Sequence, residues 1–260
     1  MFRKKYFFFD IDGTIAVGMP RYVPKSTEKT LKKLQEKGHF ISIATGRMHS
    51  MTTEFCEKFS IENMVTDGGN GIVIGDEKDI RPLDKVMVEN VIKRFDEEGI
   101  PWSVSLKDER VWYTKDNRFP DAMKDIIKIP NYMSTVIDES LDITKEEEIY
   151  KGFAYLTEEE KTIDELKNTT YTRYNEKYII IEAVDKSIGI KHIMEKMGIE
   201  DEDVVVFGDN TNDIKMFRPE WTKIAMGNSV ESLKEIADYV TTDADKDGIE
   251  NACRHFGWIE

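Results

Sequence analysis

Four short stretches carry the side chains best suited to chemistry, and each begins where an apolar run stops. YFFF (6–9) leads into Asp10, Ile11, Asp12, Gly13 and Thr14, and FISIA (40–44) into Thr45, Gly46 and Arg47. YIIIEAVD leads into Lys186, and VVVF (204–207) into Gly208, Asp209, Asn210, Thr211, Asn212 and Asp213. A carboxylate after a strand is often only a helix cap or turn former, and any one stretch could be read that way. Jointly that reading is poor. A parallel sheet would bring Asp10, Asp12, Asp209 and Asp213 to one edge, all ionised at pH 7. Like charges ~4 Å apart repel by on the order of 4 kcal/mol per pair at an effective dielectric near 20.

A divalent cation would relieve that repulsion. The donors are hard oxygens without histidine or cysteine nearby, which favours Mg²⁺ over zinc. Thr45, Gly46 and Lys186 then offer what a phosphate needs: a hydroxyl, a backbone N–H and a fixed positive charge. Asp10 and Asp12, two residues apart and followed by Gly13, divide into a carboxylate nucleophile and an acid/base that serves the leaving oxygen and then the attacking water. The chemistry read from these residues is phosphoryl transfer.

The elements that must position them follow from periodicity. Residues 1 to about 82 alternate apolar runs with helical patterns: YFFF, a helix capped by Ser26 and ended by Gly38, FISIA, a helix near 49–59, then MVT (64–66). That βαβαβ order predicts a parallel sheet. The pattern returns after about residue 185, where Ile190, Ile193, Met194 and Met197 mark a helix stopped by Gly198, followed by VVVF. Between these halves, Val88, Val91, Ile92 and Phe95 mark a helix, and PWSVSL and RVWYT read as paired strands. A helix near 119–128, an exposed helix over EEEKTIDELK, and a hairpin turning at Asn175 and Glu176 complete the middle. The expected architecture is α/β, a doubly wound Rossmann-like core over 1–82 and 183–260 with an inserted α+β domain over 83–182.

Composition bounds the partners. With 260 residues, 51 acidic against 37 basic side chains and a net charge of −14, the chain would repel nucleic acid and anionic membranes. An anionic substrate would therefore need a local positive site. The run Tyr6 to Phe9 is too short for a signal segment and no run approaches membrane-spanning length. Two cysteines, Cys56 and Cys253, give no metal spacing or disulfide framework, which fits a reducing cytoplasm. His39, His49, His192 and His255 show no mutual ligand spacing. Oligomeric state is not encoded in any of these features.

Taken in order, Asp10-Ile-Asp12-Gly-Thr14, Thr45-Gly-Arg47, Lys186 and Gly208-Asp209-Asn-Thr-Asn212-Asp213 resemble the four motifs of the haloacid dehalogenase (HAD) superfamily of phosphatases. The insertion between the second and third resembles the cap of the Cof-type, class IIB branch, as do TDGGNG (66–71), AMGNS (225–229) and DADKDGIENAC. The resemblance implies Asp10 as nucleophile and metal ligand, Asp12 as acid/base and ligand through its main-chain carbonyl, and Asp209 as ligand with Asp213 in support. It implies Ile11 (backbone), Thr45, Gly46, Lys186 and Asn212 around the phosphate. The family often has glycine after the motif lysine, where this chain has Ser187. Lys186 is preferred over Lys191, which falls inside the helix. Arg47 is expected to pair with a motif carboxylate in preference to the alternative of touching substrate. Trp102, Trp112, Arg118, Arg173 and Tyr174 are expected as cap core or surface rather than as a pocket. The implied function is hydrolysis of small phosphorylated metabolites, sugar phosphates first. A phosphomutase or phosphotransferase using the same aspartate, and a non-catalytic phosphometabolite sensor, are the alternatives.

Overall fold

The computed structural model describes all residues except 1, 2, 20, 125, 128–132, 158–162 and 175. The chain divides into two compact units. One comprises Met1–Arg47, Thr52–Asp79 and Asp185–Glu260, and the other Met48–Met51 and Ile80–Val184.

In chain order the first stretch holds β1 (Tyr6–Phe9), α1 (Lys25–Glu36), β2 (Phe40–Ala44), α2 (His49–Lys58), β3 (Asn63–Thr66), β4 (Gly71–Ile74) and β5 (Glu77–Ile80). The middle holds α3 (Lys85–Glu98), β6 (Trp102–Ser105), β7 (Val111–Thr114), α4 (Arg118–Met123), β8 (Ser134–Ile137), β9 (Lys151–Tyr155), β10 (Tyr171–Arg173) and β11 (Tyr178–Ile181). The last stretch holds α5 (Lys186–Met197), β12 (Val204–Gly208), β13 (Thr222–Ala225), α6 (Glu231–Lys234), β14 (Tyr239–Val240) and α7 (Gly248–His255).

The first unit is built on an eight-stranded sheet ordered β14-β13-β12-β1-β2-β3-β4-β5. From β14 to β3 the strands run parallel, and β4 turns back antiparallel on β3. β1 lies near the centre, with Phe7 opposite Ile41 on one side and Val205 on the other. Its side chains alternate between two cores. Phe7 and Phe9 pack with Leu31 and Leu34 of α1 and Ile249 and Ala252 of α7, while Phe8 packs with Ile190, Ile193 and Met194 of α5. Because both faces are covered by helices, the strand is apolar throughout, and each fully buried Phe contributes about 2 kcal/mol. Parallel pairing puts the carboxyl ends of β1, β2 and β12 on one edge.

The second unit is a six-stranded sheet ordered β10-β11-β9-β6-β7-β8. Helix α3 buries Val88, Val91, Ile92 and Phe95 against Trp102, Val104, Ile179 and Ile181, and α4 covers a second cluster of Trp112, Phe119, Phe153 and Ile180. Trp102 donates its indole N–H to Asp96, Arg118 pairs with Asp116 at the surface, Arg173 donates to the Leu156 carbonyl and Tyr174 stacks on Tyr178. A buried ion pair joins Lys151 of β9 to Glu182.

Three local expectations are corrected. Ser26 does not cap α1: Pro24 holds the N-cap position, its fixed φ of −58° starting the helix, and Ser26 falls inside the first turn with its hydroxyl buried. The helix near 119–128 begins at Arg118 and ends at Met123, and residue 125 and residue 128 lie outside the described residues. Of EEEKTIDELK, residues 158–162 lie outside the described residues, and the remainder forms only a 3₁₀ turn, Asp164–Asn168, not an α-helix. The hairpin expected around Asn175 is present as antiparallel β10 and β11, with Asn175 itself outside the described residues. Among the described residues no helix is long and apolar enough to cross a membrane.

Candidate active site

Asp10 is the first residue beyond β1, and its N–H still reaches the Phe207 carbonyl at 3.0 Å, so the β1–β12 pairing fixes its backbone. The chain then turns tightly: the Ile11 carbonyl accepts from Thr14 N–H at 3.3 Å and Ala16 N–H at 2.7 Å, and Gly13 N–H donates to Ala16 O at 2.8 Å. Gly13 sits at φ +98°, where a Cβ would lie 2.1 Å from Asp209 Oδ2. Only glycine lets the turn pass this close to the carboxylate. Gly208 is confined likewise, since a Cβ there would stand 2.7 Å from the Asp213 side chain.

Lys186 opens α5, whose N-cap Asp185 accepts from the Ser187 N–H at 3.1 Å and hydroxyl at 2.6 Å. This cap fixes the first turn and aims Lys186 inward, where Nζ donates to Asp10 Oδ1 at 2.5 Å and Asp213 Oδ1 at 2.6 Å. Lys186 is 2% exposed, whereas Lys191 one turn further on is a surface residue 3.6 Å from Glu220. Asp213 Oδ2 accepts the N–H groups of Asp209 and Asn210, so the 3₁₀ turn Thr211–Met216 is a reciprocal capping box with Asn210. Asp209 accepts from the Thr14 hydroxyl at 3.1 Å.

The structure thus gathers three of the four carboxylates. Asp10, Asp209 and Asp213 are all buried, with one oxygen from each within 4.8 Å of the others. Asp12 belongs to the same edge but its carboxylate faces elsewhere: Arg47 donates Nε to Oδ2 at 2.8 Å and Nη2 to Oδ1 at 2.5 Å, and Arg21 Nε lies 2.6 Å from Oδ1. Thr45 is buried at the end of β2, its hydroxyl accepting from Arg47 N–H at 3.2 Å, with Gly46 next in the chain. Ile11 buries its side chain in the core beneath the turn, and Asn212 lies half-buried in the 3₁₀ turn between Asp209 and Asp213.

Charge at this edge is unbalanced. Three carboxylates face one ammonium, leaving two negative charges uncompensated if all are ionised. Burial pushes Asp10 up to about 8, Lys186 opposing and Asp213, Asp209 and Asp12 reinforcing. Burial and Asp213 push Asp209 up to about 7 despite the Thr14 hydrogen bond. Burial disfavours the Lys186 ammonium, but Asp10 and Asp213 outweigh it and hold its pKa above the ordinary lysine value. A divalent cation among these oxygens matches the missing charge, and an all-oxygen donor set suits a hard ion. The site therefore fits a metal on its donors and on its electrostatics.

Three site features went unnoticed in the sequence. Thr14 acts on Asp209; Asn228 donates to the Gly13 carbonyl at 2.9 Å and accepts from Ala244 N–H at 2.8 Å, bracing the turn; Arg21 reaches Asp12. Asn228 lies within the AMGNS segment, which was a usable signal; nothing in the sequence around Arg21 marks it.

A buried carboxylate trio with one ammonium, set at the carboxyl edge of a central parallel sheet, defines an enzyme of phosphoryl-transfer type. The chain belongs to the haloacid dehalogenase-like hydrolase family, whose profile matches residues 7–253, and it is a phosphatase of that superfamily. It is 31% identical to the Bacillus subtilis protein named "Putative phosphatase YkrA" over 98% of this chain and 99% of that one. It is 26% identical to the B. subtilis 5-amino-6-(5-phospho-D-ribitylamino)uracil phosphatase YcsE, over 98% of this chain and 96% of that one. Among solved structures it resembles the HAD subclass IIB sugar phosphatase BT4131, at 27% identity and a TM-score of 0.77, over 98% of this chain and 100% of that one.

Proposed function

We propose that the enzyme is a Mg²⁺-dependent phosphatase of small phosphorylated sugars or sugar alcohols, working through an aspartyl-phosphate on Asp10. The observation that carries this reading is the buried Asp10, fixed at a strand end and paired to Lys186 beside two further carboxylates. Asp10, Asp209 and the main-chain carbonyl of Asp12 would hold Mg²⁺, with Asp213 in support. When bound, the ion neutralises charge on the carboxylates and on the phosphoryl oxygens.

An Asp10 carboxylate oxygen attacks phosphorus while the bond to the ester oxygen breaks, and Asp12 gives that oxygen its proton so that an alcohol leaves. Water then attacks the phosphorus of the aspartyl-phosphate and yields its proton to Asp12; the bond to Asp10 breaks and inorganic phosphate departs. Lys186 keeps Asp10 in place beforehand and supplies positive charge to the phosphoryl oxygens as they develop. Thr45 and Asn212 side chains and the Ile11 and Gly46 N–H groups complete the cradle. Residues 83–182 act as the cap that selects the substrate. The sugar class draws support from the names of BT4131 and of YcsE, the latter a phosphoribityl ester.

The test is release of free phosphate from a panel of sugar, polyol and nucleotide monophosphates with Mg²⁺ or EDTA, alongside Asp10→Asn. Release that needs Mg²⁺ and disappears in Asp10→Asn is expected. Release that survives both EDTA and Asp10→Asn would overturn the mechanism.

A further inference from the structure

We propose that a groove between α1 and the end of α2 is a second binding site, sharing no residue with the carboxylate centre, for a nucleoside diphosphate or triphosphate. The groove has a volume of about 600 Å³ and lies wholly within the first unit. That volume suits a small molecule. Lys25, Lys29 and Lys32 line it along α1 and Lys58 joins them from α2, against Glu28 and Glu36. Four lysines against two glutamates leave a local charge of +2 on a chain whose net charge is −14. Between them the lining is apolar, made by the buried Leu31 and the part-buried Phe59, whose ring packs on Phe55 with centroids 5.1 Å apart.

A helix face charged only for solubility tends to pair its charges at i,i+4. Here Glu28 precedes Lys32 by four residues, the favourable order, yet among the described residues these two form no ion pair, and Lys32 lies 3.8 Å from Glu36 instead. Glu28 occupies the first turn of α1, where the helix dipole engages it. Lys25, Lys29 and Lys58 have no carboxylate partner among the described residues, and Lys58 Nζ lies 5.4 Å from the centre of the Phe59 ring. Three uncompensated ammonium groups around an apolar lining suit an anion with an apolar body. At the helical rise, Lys25, Lys29 and Lys32 spread over about 10 Å of one face of α1. Phe59 is held beside the far end, because Gln35 Nε2 donates to the Ser60 carbonyl at 2.8 Å. Ser60 turns the chain directly after Phe59 through a left-handed φ of 52°, unusual for a residue with a side chain. A ring at one end with cations in line from it matches a base on Phe59 and a polyphosphate running past Lys32, Lys29 and Lys25. Lysines bind phosphate as point charges. Among the described residues none that lines the groove is an arginine or belongs to a strand, so it lacks the edge or the arginine cluster that commonly holds a peptide.

The experiment is calorimetric titration of the whole chain in EDTA with ADP, adenosine and pyrophosphate, EDTA keeping divalent ions from the carboxylate centre. Saturable binding of ADP is expected, tighter by about tenfold or more than that of adenosine or pyrophosphate, since only ADP meets both the ring and the lysines. The double variant Lys29→Glu, Lys32→Glu is expected to weaken ADP binding by at least about tenfold, and Lys191→Glu, the same charge change on α5, to leave it within about twofold. Thermal melts of both variants show that they fold, surface substitutions of this kind costing little stability. The proposal is overturned by ADP binding that does not saturate below about 5 mM, by ADP binding that survives the double variant, or by pyrophosphate that binds as tightly as ADP. Hexaglutamate binding more tightly than ADP would assign the groove to an acidic protein segment and overturn it equally. Because every readout is binding without metal, each of these results leaves the phosphatase reading standing.

Discussion

At the scale of single residues, the centre is held by one buried ammonium among carboxylates, so removing it should cost more than a surface ion pair. Lys186→Met would leave Asp10 and Asp213 facing each other without their shared partner. The metal-free protein should lose about 3 kcal/mol in denaturant unfolding, and phosphate release should fall by about a thousandfold. Gly13→Ala should act differently, because its Cβ would strike Asp209 Oδ2 and its φ of +98° is strained for any other residue. Calorimetric titration should show Mg²⁺ affinity falling by at least about tenfold, the carboxylate being displaced from the trio. Asp10, Asp209, Asp213 and Lys186 could be found in the sequence because each follows an apolar run buried on both faces. The alignment of Asp12 could not, since Arg21 meets it only through a hairpin whose pairing leaves no periodic trace.

At the scale of elements, the site depends on how α5 begins. Asp185 caps the helix through Ser187, and the same first turn carries Lys186 inward. Asp185→Ala should cost about 1 kcal/mol of stability and lower kcat by several-fold, whereas Lys191→Ala on the exposed face of α5 should change neither appreciably. Thermal melts and steady-state rates on the three proteins check this. Ser187 strengthens the cap through its own hydroxyl, which donates to the same Asp185 oxygen as its N–H. The strands with continuous apolar runs were legible from pattern alone. β4 was not, because GIVI follows the glycines of TDGGNG and turns back antiparallel. Nor was β9, because KGFAY is short, begins with a lysine that is buried only by pairing with Glu182, and is bounded by no turn signal. In each case tertiary pairing, not local propensity, decides the state.

At the scale of the whole molecule, the site stores electrostatic cost that pH and metal should reveal. Asp10 at about 8 and Asp209 at about 7 both lie above the 3.8 of an unperturbed aspartate. A group whose pKa is raised by folding holds more protons in the folded state between those limits, so its stabilisation is present at low pH and is lost as pH rises through 7 to 8. In EDTA the melting temperature should therefore fall between about pH 5.5 and pH 8.5, and the gain on adding Mg²⁺ should grow over the same window as protons cease to compete with the ion. A metal-free melting curve that is flat or rising with pH would contradict this assignment.

The discontinuity of the sheet has a consequence for how the protein is made. β1 finds its neighbours β2 early, but β12, on its other side, comes much later, and Lys186 is 176 positions from the Asp10 it must meet. At a synthesis rate of about 5 to 20 residues per second, the strand bearing Asp10 waits roughly ten to thirty-five seconds on the ribosome for that partner. During this interval the contiguous stretch Ile80–Val184 has all of its own sheet available and can fold first. The carboxylate trio is assembled only when Asp209 and Asp213 emerge, so a nascent chain lacks this cluster until its final quarter is being translated.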